Sequence, residues 1–412
     1  MRQELSIRPI LIIILCMVFS FRSFGQEYDF LIKGAYLIDA KNDIRDIMDV
    51  AVSDGKIMAV SKNLSEDSAK KVISASGMIL SPGLIDPHTH VFVGSKTGAF
   101  ADGFNSVSPD DFTFRSGITT VVDAGTSGWR NFTTFKNNVI DPSRTRVLAF
   151  LNIAGTGMSG NPTQENILDM DPEKAYETLQ QFPDILVGIK IGHYTGPEWL
   201  PFENALEASG RAGKPLLVEC HLPQYSLADQ LEKMRPGDII THSFEEIDER
   251  LPIIDPEGRL HPFVKAAYDR GVNFDVGHGG AGFWFSQAIP AYQQGLVPNS
   301  FGTDLHRFSM NSGMKNMLNV MSKFINIGMS LEDVIERASW QTAKAIHRED
   351  LGHLSVGAVA DLTLLRLNEG NFGFIDAGKN KIEGNNKLET ELTMKDGKVV
   401  YDLNGLAANK YQ

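Results

Sequence analysis

Cysteine is nearly missing from this chain: two residues in 412, Cys16 and Cys220. Two cysteines cannot make a disulfide framework, so the fold has to rest on its apolar core. Long hydrophobic runs are just as scarce. Residues 10–19 form the longest, about half of what a bilayer-spanning helix needs. Positive charge is in deficit, with 39 Lys and Arg against 51 Asp and Glu. That balance disfavours nucleic acid and anionic membrane as partners. No repeat, low-complexity tract or long linker interrupts the chain. What remains, 42% apolar and 22% charged, suits a folded soluble protein long enough for one large core and a small second domain.

The first 25 residues differ from the rest. Arg2 and Arg8 precede the apolar run, and "FRSFGQ" follows with Ser23 and Gly25 placed for cleavage before Gln26. Residues 1–25 read as a secretory signal peptide, with an uncleaved anchor as the alternative. Cys16 lacks the small preceding residue of a lipoprotein signal. Cleavage removes three arginines and one glutamate, so the net charge of −12 becomes −14. The expected product is exported, periplasmic or extracellular, with no stable membrane insertion. Cys220 is then its only cysteine, and a homo-oligomer is left open.

Eight short runs rich in Val, Ile and Leu follow. They are "LID" at 84–86, "TTVVDAG" at 119–125, "RVLAFLNI" at 146–153, "ILVGIK" at 185–190, "PLLVEC" at 215–220, "DIITH" at 238–242, "VNFDVG" at 272–277 and "NSFGTD" at 299–304. They recur about every thirty residues, the length of one βα unit in a TIM barrel. Helix signals fill the intervals. "DPEKAYETLQQF" opens on a capping Asp171, "PFENALEASGRAG" ends on Gly213, and "SLEDVIERASWQTAKAIH" begins with a capping box. The expected fold is α/β, a (β/α)8 TIM barrel over residues 81–354. Residues 27–80 and 355–412 instead alternate apolar and polar around "SDGK" and "KDGK" hairpin turns. Neither flank has its own core, so the two are expected to form one small β-sandwich domain.

Barrel enzymes carry their chemistry at the carboxyl ends of the strands. Here those ends read His88/His90, Asp123, Asn152, Lys190, His221, His242, His278 and Asp304. His88 and His90, in "GLIDPHTH", are two apart, and on a strand both point to the same side. Taken alone, such a pair reads as surface histidines; with His221, His242 and Asp304 it becomes a set of four imidazoles and one carboxylate. That set suits Zn²⁺, and also Mn²⁺, Fe²⁺ or Ni²⁺. Lys190 is the odd member, since charge is costly at the end of an apolar run inside a barrel. It can serve as an ion-pair partner or a Schiff-base nucleophile, or add CO₂ as a neutral amine to give a carbamate. His278 and the amides of Gly279 and Gly280 are candidates for holding substrate or an oxyanion, and His193 for reaching it. His261, His347 and His353 are assigned no chemistry, and Cys220 is read as packing.

The order "DPHTH", "GIK", "ECH", "THSF", "GTD" resembles the amidohydrolase superfamily of binuclear metallohydrolases. The likeness spans nearly the whole mature chain. Within it, "GITTVVDAGTSG", "VGIKIG", "THSF" and "FDVGHGGAGF" resemble the dihydroorotase-like deacetylase branch. The resemblance implies two divalent metal ions, zinc foremost. One would be held by His88, His90, Lys190 and Asp304, and the other by Lys190, His221 and His242, with Lys190 carboxylated on its amine. A metal-bridging hydroxide would attack the substrate carbonyl, with Asp304 as general base and acid.

Dihydroorotases usually carry an arginine two residues after the paired histidines, and D-aminoacylases a cysteine ligand on an early strand. This chain has Phe92 at the first place, and no cysteine in "TTVVDAGTSG". The expected activity is therefore deacylation of a small open-chain amide or ester. A cyclic amidase of dihydroorotase or hydantoinase type is the alternative. A non-catalytic metal-binding barrel ranks lower, because no ligand or base position is missing. Trp129, Phe283, Trp284 and Phe285 are candidates to line an apolar pocket, with loop packing as their other reading.

Overall fold

The computed structural model describes residues 27–219, 221–246 and 251–411. The leader assigned above and Cys220 lie outside the described residues. The strands are β1 (Tyr28–Asp39), β2 (Ile44–Ser53), β3 (Lys56–Ser61), β4 (Ala69–Ser74), β5 (Ile79–Pro82), β6 (Leu84–Thr89), β7 (Val93–Lys96) and β8 (Ile118–Gly128). They continue as β9 (Arg146–Asn152), β10 (Leu186–Gly192), β11 (Leu216–Glu219), β12 (Ile239–Ile240), β13 (Asn273–Phe274), β14 (Leu362–Ile375), β15 (Lys381–Lys395) and β16 (Lys398–Asp402).

Both flanks share one eight-stranded mixed sheet, in the order β16-β15-β14-β5-β1-β2-β3 with β4 beside β1. Its two "DG" hairpins form as their residues dictate. Asp54 and Gly55, and again Asp396 and Gly397, all take the positive φ that a tight two-residue turn demands. Leu364 pairs with Leu80, so the C-terminal flank is stitched directly to the N-terminal one. Ile32, Leu37, Val50, Leu80, Leu362, Leu392 and Met394 bury one continuous core that neither flank could build alone.

The second sheet is wholly parallel, β13-β12-β11-β10-β9-β8-β6. Seven of the eight apolar runs are therefore strands. The eighth, 299–304, is held by single parallel bridges, Asp275 to Ser300 on one side and Thr89 to Leu305 on the other. Backbone bonds from Asn299 N to Phe274 O, Val276 N to Ser300 O and His278 N to Gly302 O run along the β13 side, and side chains reinforce them. Asp275 accepts from Gly302 N (2.8 Å) and Ser300 Oγ, and Asp86 accepts from Thr303 N (3.0 Å) and Thr303 Oγ1. Ile85, Val122, Leu148, Phe150, Leu217 and Ile239 pack as one cluster with Ala343 and Ile346.

The helix signals hold, with one break. Asp171 caps Pro172–Gln181, accepting from Glu173 N and Lys174 N. Ser330 caps Leu331–Ala338. The expected continuous helix stops at Ser339, whose ψ of −92° is not helical, and resumes as Trp340–Ala345. Arg146 at the start of β9 pairs with Asp361 and Asp396, fastening the parallel sheet to the terminal one.

Candidate metal centre

His88 and His90 leave the end of β6 on the same side, as their spacing requires, with ring centroids 5.5 Å apart. Asp86, two residues earlier, is not with them. It is fully buried, bonds Thr303 and the amide of His88, and is pushed up to about 7 by desolvation. Its role is to hold the β6 end against residue 303.

Each imidazole is oriented from outside the cluster. The Thr241 hydroxyl donates to Asp275 Oδ2 (2.8 Å), so toward His88 Nδ1 (2.8 Å) it can only accept. His88 therefore carries its proton on Nδ1 and turns the lone pair of Nε2 inward. His90 Nδ1 meets Thr126 Oγ1 at 2.9 Å, and its Nε2 faces Asp304 Oδ1 at 3.1 Å. His242 Nδ1 donates to the Gly277 carbonyl, which leaves Nε2 facing Glu219 Oε1 at 3.0 Å. Burial, and then the nearby Lys190, push His88 down to about 4, so it stays neutral.

Lys190, the fifth residue of β10, is fully buried and its Nζ pairs with Glu219 Oε2. Gly125 leaves room for it, because a Cβ there would lie 2.6 Å from the Lys190 side chain. Burial works against the charge of Glu219, but His193, Lys190 and His242 outweigh it and hold the carboxyl well below its usual range. His221 lies two residues beyond the end of β11, with Nε2 3.2 Å from Glu219 Oε1 and Nδ1 3.1 Å from Glu245. Burial opposes the charge of His221, yet these two carboxylates raise it to about 9. His193 Nε2 is 3.1 Å from the same Glu219 oxygen.

Asp304 closes the ring. Its Oδ1 faces His90 and His88 (3.1 and 3.7 Å), and its Oδ2 faces His306 Nε2 (3.6 Å). Desolvation is overcome by His306, His90 and His88, which hold its carboxyl well below the ordinary value. Asp304, His242 and His193 all have positive φ, a costly conformation for side-chain-bearing residues that clusters at functional sites. Gly279 is obligatory beside them, since a Cβ would come 2.1 Å from Asp304 Oδ2.

The other candidates are placed differently. His278 is fully buried and stacks on Phe283 (4.9 Å, 22°), with Nδ1 on the Gly279 carbonyl (3.0 Å) and Nε2 on Lys323 Nζ (2.6 Å). Both ring nitrogens are thus engaged by the protein. The Gly279 amide is bonded to the Thr303 carbonyl (3.0 Å), whereas Gly280 is exposed with open space around it. Phe283 and Phe285 are core, and Trp129 donates to the Asp169 carbonyl while Arg130 lies 4.0 Å over its ring. Trp284 is half-buried, with Nε1 donating to Ala281 O. Phe92 is fully buried and stacks on Phe135. Asp123 accepts from the Val91 and Thr126 amides, and Asn152 donates to the Gly125 carbonyl and accepts from the Ala154 amide.

The residues fit divalent metal ions. His88 Nε2 is wholly buried and has no hydrogen-bond partner, a costly arrangement unless something else takes its lone pair. It belongs to two groups, His88/His90/Asp304 and His88/Glu219/His242, in which all donor atoms lie within 4.8 Å of one another. Three members of this site escaped the sequence reading. Glu219 and His306 had a signal, each being two residues from an assigned partner, His221 and Asp304, and so on the same side of an extended chain. Lys323, on helix Met317–Asn326, had none.

A parallel sheet whose carboxyl ends gather imidazoles, a buried lysine and carboxylates around an unsatisfied nitrogen has the architecture of a metal-dependent hydrolase. The comparisons agree. Residues 287–400 match the amidohydrolase family. A deacetylase of Agrobacterium fabrum is 32% identical over 321 residues, 76% of this chain and 77% of that one. One of Brucella anthropi is 31% identical over 336 residues, 80% of each. The crystal structure of an adenine deaminase superimposes with a TM-score of 0.83 at 27% identity, covering 91% of this chain and all of that one. The chain belongs to the amidohydrolase superfamily, on its deacetylase branch.

Proposed function

We propose that the protein is a metal-dependent deacetylase-type hydrolase that removes an acyl group from a small open-chain amide or ester. The observation that carries this reading is the buried, partnerless His88 Nε2 shared by two ligand groups. The likeness to deacetylases of Agrobacterium and Brucella, over three quarters of the chain or more, supports the open-chain reading over the cyclic-amide one. We read the eighth segment, 299–305, as closing the seven-stranded sheet into a (β/α)8 barrel. The terminal sheet stands for the sandwich domain of residues 27–80 and 355–412. We also propose export, with the leader cleaved before Gln26.

His88, His90, Lys190 and Asp304 would hold one divalent ion, and Lys190, His221 and His242 a second, zinc being the first choice. Such ions supply Lewis acidity to the substrate carbonyl and lower the pKa of water. Asp304 accepts the proton of the attacking water and passes it to the leaving nitrogen or oxygen, as an ionised carboxylate in hydrogen-bond reach can do. His306 holds its second oxygen. Gly280 and His193 face substrate from the rim, and His278, locked by Lys323, shapes the wall beneath them. Lys190 is carboxylated by adding CO₂ at its amine with release of a proton, which requires Glu219 to withdraw from Nζ.

The test is kinetic. Metal-loaded enzyme should turn over acetylated amino or hydroxy acids faster than dihydroorotate or hydantoins, and a clear preference for the rings would reject the open-chain reading. Apo-protein should reactivate faster when bicarbonate accompanies the metal, and Lys190→Arg should stay inactive.

A further inference from the structure

Residues 277–282 press on two candidate ligands, yet four of the six are glycine, so the loop has little stiffness of its own. The Gly277 carbonyl accepts from His242, and a Cβ on Gly279 or Gly282 would strike Asp304 Oδ2 or His242 Nδ1. The anchors of the loop come from elsewhere. Lys323 holds His278 near one end. The terminal sheet holds the other. From Arg366 and Glu389 outward, β14 and β15 pair with each other and, among the described residues, with no other strand. A bare two-stranded ribbon is marginal in water, and this one is bonded to helix Met317–Asn326. Asn326 Oδ1 accepts from Asn385 N (2.8 Å), its Nδ2 donates to Asn386 O (2.7 Å), and Ser322 Oγ accepts from Leu388 N (3.0 Å). The ribbon ends on the loop. Asp376, 1% exposed, accepts from Phe285 N (3.1 Å) with Oδ2 and from Asn380 N (2.7 Å) with Oδ1. Ala377 N donates to Phe283 O (2.9 Å), and a Cβ on Gly378 would come 2.2 Å from the Trp284 ring.

Phe285 opens helix Phe285–Gln293, whose first amides have no acceptor within the helix. Trp284, at the capping position, offers no side-chain cap, so a carboxylate 91 residues further along the chain serves the Phe285 amide. Resting on the deacetylase reading above, we infer that Asp376 is a positioning residue for the reaction. Through this hairpin the terminal sheet reaches the catalytic mouth and pins the glycine-rich loop that orients His242 and backs Asp304. With the tip docked, the helix-side end of the loop is fixed, and the Gly277 carbonyl and Gly279 keep their places against the two ligands. With the tip released, His242 loses its fixed acceptor and the proton shuttle its backing. The charge of Asp376 also favours the protonated form of Lys323, and the amide variant below separates that effect from capping.

The experiment compares wild type, Asp376→Ala, Asp376→Asn and Gly378→Ala as metal-loaded full chains. Hydrogen exchange of residues 277–285 is read beside kcat and KM on an acetylated amino acid and beside the visible spectrum with Co²⁺. Asp376→Ala should speed exchange in the loop, alter the Co²⁺ spectrum and lower kcat about tenfold, with KM within about twofold of wild type. A purely structural role would lower Tm without changing kcat per folded chain. An amide oxygen accepts from a helix-end N–H about as well as a carboxylate, so Asp376→Asn should restore most of the loss. Should Asp376→Ala fail to fold, Gly378→Ala, which drives the tip off Trp284 and keeps the carboxylate, should show the same three changes. Wild-type kcat in either folded variant, or an equal loss in Asp376→Asn, would overturn the inference. A wild type inert toward acetylated compounds would reject the deacetylase reading alone. Exchange and the Co²⁺ spectrum then decide the anchoring, and wild-type values of both in Asp376→Ala would overturn it.

Discussion

Around His88, His90 and His242 the scaffold orients the candidate ligands, whereas around Glu219 and His221 the polar groups are tied mainly to one another. Thr241 and the Gly277 carbonyl set the tautomers of His88 and His242 from outside, and Thr126 orients His90. Thr241 is in turn fixed by Asp275, which also grips Ser300 and Gly302. On the other side, one carboxylate, Glu219, takes contacts from Lys190, His193, His221 and His242. A ligand oriented by a rigid second partner loses little freedom when it binds a metal; a ligand paired to another ligand must first let go. The three imidazoles of His88, His90 and His242 are preorganised, and the pairings of Glu219 are exchangeable.

The largest effect should come from the residue common to both halves. His88→Ala removes a donor from each group, so bound metal should fall to near zero and turnover by orders of magnitude, as elemental analysis and steady-state kinetics would show. If one ion stays tightly held in that variant, the halves are independent and the comparison fails.

A smaller effect separates scaffold from rim. Thr126→Val keeps the shape but strips the group that orients His90, and should weaken metal binding by about 10–100-fold. His193→Ala, on the adaptable side, should cost less than that in the same chelator competition. Equal losses would mean that the two halves are equally organised.

The smallest effect lies behind His278. Burial pushes Lys323 down to about 7 from 10.5. Between those values the unfolded chain holds a proton that the folded protein lacks, so this residue's contribution to stability rises with pH across that window. Lys323→Met should flatten that part of the Tm–pH curve. It should leave metal stoichiometry unchanged, because Lys323 touches His278 and the Gly313 carbonyl and no ligand of the centre. An unaltered Tm slope would show that the amine is not titrating there.

The parallel strands were legible because each is a compact apolar run closed by a polar residue, and the hairpins because "DG" satisfies positive φ at both turn positions. The segment 299–304 looked like an eighth strand by composition; it bonds the backbone of residues 274–279, but Asp275 and Asp86 take the amides of Gly302 and Thr303, so isolated bridges form in place of a regular strand. The break at Ser339 was equally invisible, since helix propensity runs on through it. Trp129 and Phe283 could be pocket walls or loop packing by sequence, and their partners, Asp169, Arg130 and His278, place them in the packing.

The sequence by itself determined which residues could be ligands. Spacing places His88, His90, Lys190, His242 and Asp304 at the ends of successive units, and the two-residue period of an extended chain says which of them share a face. Only the tertiary structure decided how far each reaches and what meets it there. Glu219 pairs with Lys190, His221 lies between Glu219 and Glu245, and His278 turns both nitrogens to the protein. The physical reason is that facing is a local property of a strand, whereas depth and partner depend on residues from other strands, tens to hundreds of positions away, closing around the same point.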